Sequence, residues 1–572
     1  MLSDPAAVVG YACLLVVCVT AVWRYARKAS LPPGPPRSLW RGNENQLPWV
    51  EPWKVYAEWS KNFGSLIYLY AYGRDVLIVN GAREAEAMLD DRGLIYARRP
   101  TWSMVALTGR QDNIAFMDYN ERQRKSRAIM QAALNPRSQR QWGPVLEEET
   151  LKLIQHLLGS PDEYRLHMKR YLATFINRYT YGTEINDAHM KLADELSAHT
   201  QQALRPGRWI VDSISFLFKR WAREAKTKFR KFTSVPYFET RVSVVNGTAN
   251  ESMVAETLKD ILSGNSRFDE DALISAASSI YTAATDTTTA VLLSFLLLIT
   301  VHQDVQAQAY AEIARVVGTS RLPGLADQAA LPYVNAVMKE VHRFNPVTPM
   351  IPRSPIQDDL YEGQRIPRDT WAMFNIWAMT HDPAIYADPH IFRPERHLDK
   401  APPKDPRDFA FGFGKRLCPG MNLANAQIFL FMSQLLAVFH IRPPLGADGH
   451  DAPPPLDYTS TFVRSVLSPL SSHPVLRGEP PLLTLRVQLP ETVRVPTRPA
   501  RERHRAAARV RCDLLTWSQD VAGDDQKRRE GREPNADTRC MYISATIIQH
   551  ARASVRLRFR FRSPTEKRRE EA

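Results

Sequence analysis

The stretch Phe411–Gly420, FGFGKRLCPG, constrains this 572-residue chain more than any other. Gly412, Gly414 and Pro419 all oppose a helix, because glycine is conformationally free and proline lacks an N–H. The segment therefore reads as a tight loop that presents one sulfur, that of Cys418, with the backbone brought close to something flat. Arg416, two residues earlier, places a cation where it can meet anionic groups on the same object. A deprotonated cysteine is a strong, soft ligand for iron, and its electron donation favours O–O cleavage. The bland reading of a lone cysteine is a small buried hydrophobe. A dinucleotide loop, GFGKRL, needs a third glycine and a preceding strand, and Leu417 stands where that glycine would be.

Hydrophobic content of 44% and charged content of 24% are ordinary for a globular protein, and the length allows one large domain with appendages. The five cysteines form no disulfide framework: Cys13 and Cys18 lie in an apolar run, and Cys512 and Cys540 in a tail, as suits a reducing compartment. Of the net charge of +14, residues 471–572 supply about +9, from 22 Lys/Arg against 13 Asp/Glu. The remainder is only mildly basic and gives no argument for nucleic acid. Ala6–Trp23 carries no charge and, as a helix, spans roughly 27 Å, about the hydrocarbon thickness of an endoplasmic reticulum bilayer. Asp4 precedes it and Arg24, Arg27 and Lys28 follow, so charge bias places the C-terminal side in the cytoplasm. No small-residue cleavage site precedes the arginines, so the run reads as an uncleaved anchor over 6–23, with residues 1–5 lumenal. Residues 24–36 are a basic stop and then LPPGPP, a stiff extended spacer.

Along the rest of the chain, Phe63–Asn80 alternates around Gly73-Arg74 as a β-hairpin. Ala82–Asp91 reads as a short helix, Trp102–Phe116 as a loop, and Asn120–Ala133 as a basic helix holding Gln123-Arg124-Lys125-Ser126-Arg127. Apolar spacing predicts helices over Glu147–Tyr181 and Asp187–Ala203. Phe268–His302 is a long central helix whose middle, Ala283-Ala284-Thr285-Asp286-Thr287-Thr288, interrupts an apolar run with polar and β-branched residues. Such local rule-breaking tends to sit at function. Leu331–Phe344 is a further helix with Glu340 and Arg343 three apart on one face, and Phe392-Arg393-Pro394-Glu395-Arg396 follows about 50 residues later. Met421–His440 is an apolar helix whose N-terminus faces the sulfur, a favourable dipole arrangement. Beyond Arg464 the chain turns Arg- and Pro-rich without sustained period, so 465–572 reads as disordered, or as out-of-frame or intron-derived sequence.

Phe411, Gly414, Arg416, Cys418 and Gly420 fill all five fixed positions of Phe-x-x-Gly-x-Arg-x-Cys-x-Gly, which resembles the haem-binding loop of the cytochrome P450 family. Ala283–Thr288 resembles that family's Ala/Gly-Gly-x-Asp/Glu-Thr-Thr, with Ala284 where glycine is usual. The Glu340/Arg343 pair, the 392–396 segment and the proline hinge match it in order, so the resemblance runs from Leu31 to Arg464. It implies a mainly α fold with a small β region, a catalytic domain over 37–464, and haem b (iron protoporphyrin IX) ligated by Cys418. It further implies that Arg124, Arg353 and Arg416 hold the propionates, Gln123 standing in place of the family's tryptophan before Arg124. Asp286 and Thr287 would deliver protons, and Glu340, Arg343 and Arg396 would form a buried structural triad. Ala283, Val347, Thr348, Met350, Ile351 and Phe462 would line the substrate pocket. The implied activity is insertion of one oxygen atom from O2 into a lipophilic small molecule, terpenoid or polyketide-like, in fungal secondary metabolism. No nicotinamide or flavin fingerprint is present, so electrons are expected from the NADPH–cytochrome P450 reductase, with cytochrome b5 a second donor, docking at the cationic surface around Lys415. Gln123, Ala284, the missing connector between Val211 and Lys231 and the changed C-terminus keep one alternative open: a haem-binding member impaired in turnover.

Overall fold

Short polar side chains mark where the helices begin. Asn120, Asn186, Ser252 and Asp269 each accept the backbone N–H three residues on, which satisfies one of the donors a helix start leaves open. The computed structural model describes residues 14–20, 31–204, 219–444, 450–461, 463–466 and 484–486. Among these, eleven helices have ten or more residues: α1 Pro52–Phe63, α2 Glu121–Leu134, α3 Gln139–Gly159, α4 Tyr164–Tyr181, α5 Asp187–Ala203, α6 Lys219–Val245, α7 Met253–Leu262, α8 Glu270–Val301, α9 Gln303–Val316, α10 Pro332–Phe344 and α11 Met421–Val438.

The sequence of α8 from Ala290 onward is apolar nearly all round, which demands burial on every side. It receives that burial: Leu292, Phe295, Leu298 and Ile299 are fully buried, and α8 packs along α2, α4 and α11. Both α8 and α11 are long and apolar enough to cross a membrane, yet most of each lies inside the protein, so they are its core helices.

The β region is small. β1 (Leu66–Ala71) and β2 (Arg74–Val79) form the expected antiparallel hairpin. Its two turn residues, Tyr72 and Gly73, both take positive φ (54° and 73°), the turn whose twist matches that of the strands. β3 (Met350–Arg353), β4 (Asp359–Tyr361), β5 (Gln364–Ile366) and β6 (Trp371–Asn375) follow, and the main sheet runs β1-β2-β6-β3. β6 is parallel to β2 and antiparallel to β3, with Ile351 opposite Phe374 and Arg353 opposite Ala372. β7 (His440–Arg442) pairs with β8 (Thr484–Arg486). The architecture is mainly α with a small β region.

Residues 14–20 are helical, and Leu14, Leu15, Val16, Val17 and Val19 are exposed. The rest of the 6–23 run, the 211–218 part of the missing connector, Phe462 and, apart from residues 465, 466 and β8, the 465–572 tail lie outside the described residues.

Candidate functional site

The Phe411–Gly420 loop is shaped by backbone contacts that few residue types could make. Gly414 has φ +51°, and a Cβ there would stand 2.0 Å from the Leu89 carbonyl oxygen, so only glycine fits. The Cys418 N–H donates to the Phe411 carbonyl at 2.9 Å and closes the loop. Arg127 Nη2 donates to the Leu417 carbonyl at 2.6 Å, tying α2 to the residue before the cysteine. Cys418 is a free cysteine deep in the protein that still keeps part of its surface accessible. Burial pushes its thiol up, opposed by the Gly420 N–H and by Arg127.

Four guanidinium groups surround this loop. Arg99, Arg127, Arg353 and Arg416 perturb one another electrostatically. Arg416 donates to the carbonyls of Ala97, Ile114 and Met117. Arg353 and Arg99 each donate to the Pro352 carbonyl, at 2.8 and 2.6 Å. Among the described residues none of the four donates to a carboxylate, and Arg99 Nε is buried without a partner. Burial pulls Arg353 down to about 9 and Arg416 to about 10, and burial with the Arg353 and Arg416 charges drives Arg99 down as well. Guanidinium groups stay protonated in proteins, so these directions measure a shortage of negative charge. Gln123, fully buried beside them on α2, has both Nε2 and Oε1 unpartnered. The donor set fits a flat group that carries two carboxylates and offers one metal position to a single thiolate, which is the make-up of haem b.

Arg124 does not join this cluster. It lies on the exposed side of α2, its guanidinium 6.0 Å from the Tyr119 ring, and the reason is helix phase. Gln123, Ser126 and Met130 are buried, so the arginine sharing their inward side is Arg127, four residues after Gln123. The expectation for Arg124 is therefore corrected to Arg127. Arg99 was not anticipated, since one arginine in an irregular stretch gives no periodic signal.

α8 runs as an unbroken α-helix through Ala283–Thr288. Its threonine hydroxyls are spent on their own helix: Thr285 donates to the Tyr281 carbonyl at 3.1 Å and Thr287 to the Ala283 carbonyl at 2.7 Å. Asp286 points toward α5, where the Ser197 hydroxyl donates to its Oδ2. Burial raises the Asp286 carboxyl, opposed by Ser197 and Lys169. Ala283 is exposed, Thr348 is half-buried and Val347 is buried. In β3 the side chains alternate. Ile351 Cδ1 lies over Gly412 of the loop, 3.6 Å from where a Cβ would be, while Met350 packs on the other side of the sheet with Trp53, Tyr56 and Ile78. Strand alternation thus removes Met350 from the expected pocket lining and leaves Ile351.

Glu340, Arg343 and Arg396 meet with essentially no exposure. Arg343 reaches both Glu340 oxygens at 2.8 and 2.9 Å, and Arg396 Nε donates to Oε1 at 3.2 Å. His397, also unanticipated, contacts Oε2 at 3.0 Å, and the Arg393 N–H reaches Oε1 at 2.9 Å. Burial works against ionisation, but His397 and Arg343 overcome it and hold the Glu340 carboxyl at about 2. The arginines also bind the Ala387, Pro389 and Ile391 carbonyls, so the carboxylate pins the 387–397 strap onto α10.

The family model described as Cytochrome P450 matches residues 32–463. "Cytochrome P450 monooxygenase 136" of Postia placenta is 32% identical over 472 residues, covering 77% of this chain and 88% of that protein. "Cytochrome P450 monooxygenase claT" of Ampulloclitocybe clavipes is 33% identical over 469 residues, covering 79% and 92%. A zebrafish cytochrome P450 solved with abiraterone superposes with a TM-score of 0.61 at 25% identity, over 73% of this chain and 97% of that one. The chain belongs to the cytochrome P450 family, as a haem-binding monooxygenase of the fungal kind.

Proposed function

We propose that this monooxygenase is a single-pass endoplasmic reticulum protein, its catalytic domain cytoplasmic, that oxidises a lipophilic terpenoid- or polyketide-like molecule in fungal secondary metabolism. Its electrons would come from an NADPH-dependent flavoprotein reductase, with cytochrome b5 a second donor. The observation that carries the reading is the meeting of one largely enclosed sulfur with two buried arginines, Arg353 and Arg416, and two half-buried ones, Arg99 and Arg127, none of which donates to a carboxylate among the described residues. The exposed apolar side chains of residues 14–20 support the anchor, and Val347 and Ile351 support a lipophilic substrate. Exposed Lys415 beside the cysteine loop supports docking of an acidic partner.

Bound haem supplies the activation of dioxygen and delivery of one oxygen atom to carbon. Cys418 would hold the iron as thiolate, the Gly420 N–H and Arg127 stabilising its charge. Arg99, Arg127, Arg353 and Arg416 would hold the propionates, with Gln123 offering an amide N–H. Asp286 would take a proton from the α5 side, where Ser197 already bonds it, and Thr287 would pass it on once its hydroxyl turns from the Ala283 carbonyl.

The test is spectroscopic and then kinetic. Reduced, carbon-monoxide-treated protein is expected to show a thiolate-type spectrum that C418S abolishes, and substrate is expected to drive NADPH consumption when the reductase is added. A thiolate spectrum without substrate-dependent NADPH consumption would instead establish the impaired, haem-binding reading, which the unpartnered Gln123 amide favours.

A further inference from the structure

Arg110 stands apart from the arginines around the cysteine loop. It sits in the Trp102–Phe116 stretch and is 2% exposed. Its Nε donates to Thr200 Oγ1 at 2.6 Å and its Nη2 to the Leu196 carbonyl at 3.0 Å, both on α5. Its guanidinium lies 5.4 Å from the Phe229 ring of α6. Among the described residues, Nη1 is buried with no partner. Every one of these contacts is to a neutral group, and burial, with no acid opposing it, pulls Arg110 down to about 10. The acids nearby are taken: Glu195 and Glu224 pair with Lys228 at 2.9 and 3.3 Å. His199, on the same turn of α5 as Thr200, leaves Nδ1 buried and, among the described residues, unpartnered. A buried cation without a carboxylate is costly, and an apolar side chain of similar volume would pack there at less cost.

The location gives that cost a use. Three residues after Arg110, Asn113 Nδ2 donates to Thr282 Oγ1 at 2.7 Å, and the Ile114 N–H reaches Ser279 Oγ at 3.0 Å. On the other side, Ser197 follows Leu196 directly and bonds Asp286. Arg110 is thus clamped between two segments that both meet α8 over Ser279–Asp286, the turns carrying Ala283 and leading to Thr287. We infer that Arg110 is a specificity residue that pairs through its free Nη1 with a carboxylate on the substrate, so that the substrates of this enzyme are lipophilic acids. The inference rests on the monooxygenase reading above and narrows its substrate class.

The experiment uses the full-length protein in detergent and two matched probe pairs, dodecanoate with methyl dodecanoate and abietate with methyl abietate. Binding is read by Soret shift and by ligand-induced change in melting temperature. At least one acid is expected to bind about tenfold tighter than its own ester, since a site built around a buried charge rejects a ligand that leaves it unpaired. R110Q, which keeps a donor but loses the charge, is expected to bring that ratio to within about threefold, and R110K to retain part of it. R110M is expected to melt no lower than the unaltered protein, because it removes an uncompensated buried charge. The inference is overturned if both acids bind no tighter than their esters, the absence of any binding included. It is equally overturned if R110Q keeps the preference, or if R110M melts lower while the preference persists, which would mark a structural arginine. Loss of the thiolate spectrum in the unaltered protein would strike the broader reading instead, and the melting-temperature arm would still report on acid preference.

Discussion

Glu340 shows how a single carboxylate can organise a fold. Removing Arg343 by R343M strips the buried charge of its two-pronged partner and leaves it to Arg396, His397 and the Arg393 N–H, and the expected loss is about 3–5 kcal/mol in a urea titration. The pH dependence has a definite sign. The Glu340 carboxyl falls from its ordinary 4.5 to about 2 in the fold, so its contribution is whole above the unfolded value and disappears as pH drops toward the folded one. That contribution is on the order of 3 kcal/mol. Urea midpoints measured from pH 5 to pH 2 are expected to fall for the unaltered protein and to be flatter for E340Q. At the cysteine loop, G414A forces a Cβ into the Leu89 carbonyl at 2.0 Å and is expected to lower haem content at purification. R127Q is expected to weaken haem retention, whereas R124Q, on the exposed side of α2, is expected to leave it unchanged; haem loss to apomyoglobin measures both.

At the scale of elements, helix phase and strand alternation decided what the linear motifs left open. Five residues of the cysteine loop were legible because their spacing is fixed by a closed turn, and Glu340 and Arg343 because one helix turn separates them. Arg124 misled because two basic residues three apart look alike in a sequence, while only Arg127 shares the buried side with Gln123. Met350 misled because an extended segment of unknown register gives no inward direction, and the β3–β6 pairing supplies it. His397 and Arg99 were hidden because neither belongs to a periodic segment. The continuous α-helix through Thr287 yields a further expectation. T287A removes a hydroxyl now bonded to the Ala283 carbonyl, so stability is expected to change by less than about 1 kcal/mol, while the ratio of product to oxygen consumed falls. An unchanged ratio would remove Thr287 from proton delivery.

For the whole molecule, the helical layers and the small sheet do different work. The apolar helices α8 and α11 pack on one another within one core, a task that tolerates exchange among residues of like volume. The sheet has little mass but holds Ile351 and Arg353 on one side of β3 and Met350 on the other. Because strand faces swap with every residue, this division is a matter of counting rather than of packing. Inserting one residue into the Pro346–Pro349 connector would slip β3 by one position against β6, turning the Arg353 guanidinium out of the interior and the Met350 thioether onto the face that Ile351 now occupies. A protein so altered could remain well folded and still be unable to keep its pigment, although nothing in the composition of this connector announces that its length matters.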